Sequence, residues 1–422
     1  MNRVHYRIAQ VRQLLADRAV QVGLAVFGLG AAISVLVLIY YPTAAPSTIL
    51  SVISSATASF TGAYVSYAVI ARHLLGTERD RIDPPEEVCD RYVKSVPLLR
   101  ATQLGASEMD CSSRYLPCVI IDDADPDEIL TGEVRICSDP YVFPPSIDSL
   151  LEPRMDVLRN RFETEGKFNA RKARVESVDG DILTVSETSY FRSFCTNFAP
   201  DMDGPNGGPT LRESFENEFV TDSGIAPLGD SLFSDHLGGG GIAVTTDGKA
   251  LLGVRAANVT VGERKVGHAF GGNFEFRNLL GGSSVHDELR REATEELSGL
   301  DAGDVVSLTG LGLVRRVDWL GKPDVHCLAL IDGEQSYGQA STEFYGGVTV
   351  DLGVDELTDA SNLFDPATAD HCVGKIREAI EKTSLTPSVN YHISLELWLR
   401  KAMDGDTREG QRSGERARNT TS

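Results

Sequence analysis

Arg291-Glu292-Ala293-Thr294-Glu295-Glu296-Leu297-Ser298-Gly299-Leu300 is the stretch on which the reading of this chain turns. It closes a run, Ser284–Leu297, with strong helical spacing. On a helix Glu292, Glu295 and Glu296 stand at i, i+3 and i+4 and share one face, joined by Glu288 one turn earlier. Like charges that close cost an isolated helix roughly 0.2–0.5 kcal/mol per pair, so something positive must compensate. Magnesium or manganese suits the task, because hard cations prefer carboxylate oxygen, keep waters and bridge to phosphates. A carboxylate left off the ion can act as general base on a water. Arg291 can hold the carboxylates or meet a phosphate. The competing reading is a solvated acidic face, which is ordinary for a charge run on a helix.

Working outward, Phe270-Gly271-Gly272-Asn273-Phe274-Glu275 precedes the helix as a close-packed glycine turn, where backbone can approach a ligand. Earlier still, Gly238–Gly241 leads into Ile242–Thr245, Asp247-Gly248 and Ala250–Val254, a hairpin pattern with a dipeptide suited to a type I′ turn. Downstream lie two strand-like runs, Val305–Val314 and Val325–Ile331, then helical stretches Pro366–Lys382 and Ser388–Met403, the latter anchored by Leu395, Trp398 and Leu399. Residues 404–422 are rich in Gly, Arg and Thr, which predicts a disordered tail.

In order and spacing these elements resemble the Nudix hydrolases, over residues 238–403: the hairpin, the Phe-Gly-Gly-x-Phe-Glu turn, the Arg-Glu-x-x-Glu-Glu helix and the strand Lys322-Pro323-Asp324-Val325-His326-Cys327-Leu328. The resemblance implies an α/β/α sandwich that cleaves nucleoside diphosphates linked to another moiety, using Mg2+ or Mn2+. It implies Glu292, Glu295, Glu296 and the Gly272 backbone as metal ligands, Glu292 or Glu295 as base, and Arg291 as the residue orienting the carboxylates. Three departures stand out. The family's Glu eight positions before the Arg is Ser283 here, about five extra residues fall within Arg277–Gly282, and one extra residue sits at Leu297 or Ser298. Glu343 is the candidate for a further late-loop carboxylate, with a surface Glu as the alternative. His286 could touch phosphate or simply be solvated, and His268 lies nearby. Trp319, between Arg315-Arg316 and Lys322, could stack a nucleobase, although an interior Trp is the more ordinary role.

Upstream of the Nudix-like part, residues 91–237 form a strand-rich middle region. Pro117–Ile121 and Ile182–Val185 read as strands, Ser149–Thr164 as a helix and Asp201–Pro209 as a loop. No chemistry stands out there, and His236 is isolated. Residues 72–90, with Pro84-Pro85, read as a linker.

The N-terminus has a different character. No charged residue occurs from Ala19 to Ala71, and Ala19–Tyr41 and Thr48–Ile70 each have the length to cross a hydrocarbon core of roughly 30 Å. Pro42 and Pro46 fall between them. Residues 19–71 therefore predict a two-helix transmembrane hairpin, and the fold class becomes membrane plus α/β. A cleaved signal peptide would leave the second apolar run unexplained. Arg3, Arg7, Arg12 and Arg18 in the basic segment 1–18, with Arg72 beyond the second span, place both termini in the cytoplasm of a multi-pass protein of the cell membrane. Ser51, Ser55, Ser59, Gly62 and Ser66 share one helical face, which predicts helix association and a homo-oligomer.

With 61 acidic against 40 basic residues, the formal net charge of the 422-residue chain is −21, which disfavours a nucleic-acid duplex as partner. The 7 cysteines are scattered without zinc-ligand spacing, which reads as a reduced protein. A membrane hairpin, a middle region and a Nudix-like domain together resemble the membrane-bound NUDIX effectors associated with cGAS/DncV-like nucleotidyltransferases (CD-NTases) in cyclic-oligonucleotide-based antiphage signalling (CBASS). That resemblance implies recognition of a cyclic oligonucleotide, followed by growth arrest or cell death. The alternative is a membrane-tethered, metal-dependent nucleoside diphosphate hydrolase with a housekeeping role.

Overall fold

Residues 85–101, 114–122, 125–164, 167–202, 208–256, 264–333, 338–339, 344–354 and 357–419 are those described by this computed structural model. All lie within the unit Asp80–Ser422. In chain order the strands are β1 (Cys118–Ile120), β2 (Glu133–Ile136), β3 (Arg171–Asp179), β4 (Ile182–Ser189), β5 (Val220–Thr221), β6 (Gly224–Ile225), β7 (Gly238–Thr245), β8 (Lys249–Arg255), β9 (Lys265–Gly267), β10 (Phe270–Asn273), β11 (Leu297–Ser298), β12 (Val305–Arg316), β13 (Lys322–Ile331), β14 (Gly338–Gln339), β15 (Phe344–Asp351) and β16 (Thr386–Pro387). The main sheet runs β1-β12-β13-β7-β8-β9-β16, with β10 also on β7 and β15 also on β8. It is mixed: β13 runs parallel to β7, whereas β12–β13 and β7–β8 are antiparallel.

Every residue of β13 is buried, as expected where helices cover both faces of a sheet. Ile242, Val244, Leu328 and Leu330 share a core with Val373, Ile376, Leu395 and Trp398, from helices Pro366–Glu381 and Val389–Asn419. The alternate residues Ala243, Val325, Cys327 and Ala329 pack with Val285, Leu289 and Ala293 of helix Val285–Glu296. Each large aliphatic side chain buried this way contributes about 1.5–3 kcal/mol. Glycine in β7 brings helix Val285–Glu296 close: a Cβ on Gly239 would lie 2.8 Å from the Phe274 ring and 3.1 Å from Leu289.

The middle region is stitched to this sheet. Its own sheet has the order β2-β4-β3. From β3, Ala173 donates to the Phe274 carbonyl (3.2 Å) and accepts from Leu237 N–H (2.7 Å), and Val175 donates to the Asp235 carbonyl (3.2 Å). A further core beneath it joins Tyr92, Phe194, Phe219 and Phe233 to Val317 and Leu320 at the end of β12.

Several expectations change. The β7–β8 hairpin has a three-residue loop, Thr246–Gly248, with only Gly248 at positive φ (78°), so the turn is not type I′. Ser149–Thr164 divides into helix Pro145–Leu151, a tight turn Glu152–Arg154 and helix Met155–Thr164, because Pro153 has no N–H to continue the ladder. The final helix continues to Asn419, through residues expected to be disordered; the helix before Met403 is the nucleus from which it propagates. The largest correction concerns the membrane. Among the described residues no helix is long and apolar enough to cross one. The longest, Val389–Asn419, is apolar on one face and carries Glu396, Arg400 and Lys401. A membrane-plus-α/β fold class and a two-span location in the cell membrane are therefore not supported, and what is described is an α/β fold with mixed sheets. The stretches read as spans, with Ser51, Ser55, Ser59, Gly62 and Ser66, lie outside the described residues.

Candidate functional site

Ser284 starts the acidic helix through a capping box: its hydroxyl accepts from Asp287 N–H (3.1 Å) and its own N–H donates to the Asp287 carboxylate (2.9 Å). From that start the 3.6-residue period turns Glu288, Glu292 and Glu296 inward beside Val285, Leu289 and Ala293. Glu295 turns outward, with 58% of its side chain exposed. The acidic face is thus mostly a buried face.

Arg291 compensates it. One guanidinium nitrogen donates to Glu288 (3.0 Å) and Glu292 (2.6 Å), the other to Glu295 (2.8 Å). Burial opposes the charge of Arg291, but the three carboxylates outweigh it and hold the proton more tightly than usual. The second oxygen of Glu288 accepts from Asn278 Nδ2 (2.8 Å). Asn278 lies on the short helix Phe276–Leu280, which is formed within the extra residues after the glycine turn. Glu296 accepts from Gly271 N–H (2.6 Å). A Cβ on Gly272 would stand 2.6 Å from the Glu292 carboxyl group, so only glycine lets that carboxylate lie against the strand.

Burial raises the pKa of Glu292, and Glu295 adds to the rise; Arg291 and Lys172 oppose it. Lys172 arrives from β3 in the middle region. Its Nζ donates to the Asn273 carbonyl (2.7 Å) and lies 3.6 Å from Glu275.

As folded, these residues do not fit a bound magnesium or manganese ion. Among the described residues no group of three or more His, Cys, Asp and Glu side chains is placed to hold a metal. The reason is geometric: Glu295 points outward, Arg291 occupies three carboxylates, and the Gly271 N–H takes Glu296. Of the expected ligands, Glu292 and Gly272 come together with Glu296 close by on the Gly271 N–H, and Glu295 stands apart.

The remaining candidates are dispersed. His286 is partly exposed, 4.0 Å from Asp287 and outside the carboxylate network. Glu343 lies outside the described residues. His268 is on the opposite face of the sheet, hydrogen-bonded to Ser394 Oγ (2.8 Å). Trp319 is an interior residue, edge-on to Phe198 at 5.4 Å and covered by the Arg316 guanidinium at 3.9 Å. His236, isolated in the sequence, is buried between Ser193 Oγ and Asn273 Oδ1 (2.6 Å). Sequence reasoning missed Lys172, Asn278 and Asn273. Nothing local marks them, since each acquires its role from a partner distant in the chain or on a neighbouring element.

No protein-family model and no curated protein matches the sequence. Among solved structures, DR0079 from Deinococcus radiodurans is similar at 13% identity, covering 37% of this chain and 80% of that one, with a TM-score of 0.25. A MutT/nudix family protein from Enterococcus faecalis is similar at 17% identity, covering 37% and 66%, with a TM-score of 0.19. Likenesses this weak carry no argument about the site, which stands on its own residues.

Proposed function

We propose that residues 238–403 form a Nudix-type domain that acts on, or senses, a nucleotide where helix Val285–Glu296 faces the glycines of β10. The observation that carries this is Glu292: a desolvated carboxylate pressed against Gly272 and oriented by Arg291. In the hydrolytic reading, Glu292 takes a proton from a water that attacks one phosphorus of a diphosphate. The bridging P–O bond then breaks and two phosphorylated products leave. The family resemblance brings Mg2+ or Mn2+ to this reading.

A second reading, binding without turnover, is favoured by the closed Arg291 network, which engages three carboxylates and leaves, among the described residues, no three placed around a metal ion. The full chain, incubated with nucleoside diphosphates, their linked derivatives and cyclic oligonucleotides, with and without Mg2+ or Mn2+, separates the two. Phosphate-bond cleavage that Glu292→Gln abolishes supports the hydrolase. Saturable binding without cleavage supports the sensor. Neither cleavage nor binding across the panel overturns both.

A further inference from the structure

The acidic helix and glycine strand belong to residues 238–403, yet one cation at their junction does not. Lys172 is carried by β3, which pairs its backbone with Phe274 and Leu237 on either side of the glycine strands. Its side chain is only 12% exposed, and it reaches across to the carbonyl of Asn273, the residue after Gly272. Burial works against its charge, and the nearby Glu275 and Glu292 carboxylates support it. Asn273 Oδ1 in turn accepts from His236 Nε2 (2.6 Å), and His236 is anchored to Ser193, so a second polar link joins the middle region to the residue after Gly272.

We propose that Lys172 is the phosphate-binding cation of this site, so that the site is composite and the middle region is part of its binding machinery. The inference rests on the nucleotide reading above. Its physical basis is charge. Glu275, Glu288, Glu292, Glu295 and Glu296 ring the site, and Arg291 is already committed to three of them. An anionic ligand therefore needs a cation outside that network. Lys172 has three N–H donors and spends them on the Asn273 carbonyl and, more loosely, on Glu275, leaving one for a phosphate oxygen.

The test is calorimetric titration of the full chain with inorganic pyrophosphate and ADP, comparing Lys172→Met, Lys172→Arg and, as control, Arg171→Met, whose side chain pairs with Glu187 on the exposed side of the same strand. Lys172→Met should weaken binding at least about tenfold, equivalent to roughly 1.4 kcal/mol. Lys172→Arg should restore most of it, and Arg171→Met should leave it within about twofold. Should Lys172→Met fail to fold, amine acetylation of the wild-type chain, read by peptide mass, decides instead: bound pyrophosphate should protect Lys172 while exposed Lys382 stays reactive. Wild-type affinity in Lys172→Met, or labelling of Lys172 that saturating pyrophosphate does not slow, overturns this inference alone. A wild-type chain that binds neither probe overturns this inference, and one that is silent across the wider nucleotide panel overturns the nucleotide reading with it.

Discussion

The two faces of β7 carry two different kinds of polar chemistry. Facing helix Val285–Glu296, the acids are drawn from a single helix, and three of them are held by a single arginine within it. On the other face, His268 fills the space above Gly240, and Lys322 and Asp324 fill that above Gly238. There His268 and His326, with ring centres 5.1 Å apart, share the Ser394 hydroxyl at 2.8 Å each. One cluster is local in sequence, partly open and anionic. The other is assembled from β13, the turn after β9 and the final helix, is largely shielded from water, and is built of imidazoles kept neutral. The difference teaches that a charge pattern within one element can be read from sequence, whereas a network spanning several elements cannot.

The two faces should answer pH in opposite senses, and that is the largest expected effect. Burial, then the nearby Arg255 and Arg316, pushes His268 down to about 3. Burial and Arg377 push His392 down to about 4. His236 and His326 are also held well below the usual histidine range by burial and neighbouring cations. The unfolded chain protonates these groups near pH 6.5 while the folded one does not. Their contribution is therefore complete above pH 6.5 and lost as pH falls towards 4 and 3, at up to about 1.4 kcal/mol per pH unit for each histidine. Glu292 works in reverse: its raised pKa favours the protonated folded form, a contribution present at acid pH and lost as pH rises through the folded value. Melting temperature measured from pH 7.5 to 4 should fall steeply. A flat profile would break the contrast between the faces.

Next in size is removal of the arginine. Arg291→Met strands Glu288 and Glu292 in a buried position, and the expected loss is about 2–3 kcal/mol at pH 7.5, less than for a fully enclosed pair because Arg291 keeps 31% side-chain exposure. Denaturant unfolding at two pH values sharpens the point. The deficit should shrink at pH 5, because burial already raises the pKa of Glu292 and losing Arg291 removes the main opposing charge. An equal deficit at both values would mean that Arg291 acts through packing and not through charge.

The smallest effect is expected at Glu295. Its carboxylate is outward and its pair with Arg291 is largely solvated, so Glu295→Gln should change stability by no more than about 0.5 kcal/mol. A loss comparable to that of Arg291→Met would place Glu295 inside the buried network and erase the inward–outward division of the helix. Thermal unfolding of the two variants side by side checks it.

Much of the candidate site was legible. The Glu292–Glu295–Glu296 spacing marked an acidic helix, although Glu295 turns away from the face that Glu292 and Glu296 share, and Ser284 sits at its start as a cap. The need for a compensating positive charge was also readable, and so was Arg291 as a residue that could hold the carboxylates; which three it takes was not, because side-chain rotamers decide which partner a carboxylate takes. The extra residues around Asn278 read as a disturbance of the turn, and the fold uses them to hold Glu288. The middle region read as lacking chemistry, and Lys172 reaches the site only through the pairing of β3 with residues about a hundred positions away.

By itself, then, the sequence marked the main strands and helices and their order over residues 238–403, along with the residues that carry the acids. It missed β15, and it read a turn at Phe270–Asn273 where the fold pairs a strand with β7. Helical and strand periods, caps and glycines act over a few neighbouring positions, so they can be read along the chain. Tertiary structure alone decided which acids are buried, which cation meets each of them, and that the middle region joins the site. Those outcomes depend on desolvation and on distances between segments far apart in sequence, and neither quantity exists until the chain has folded.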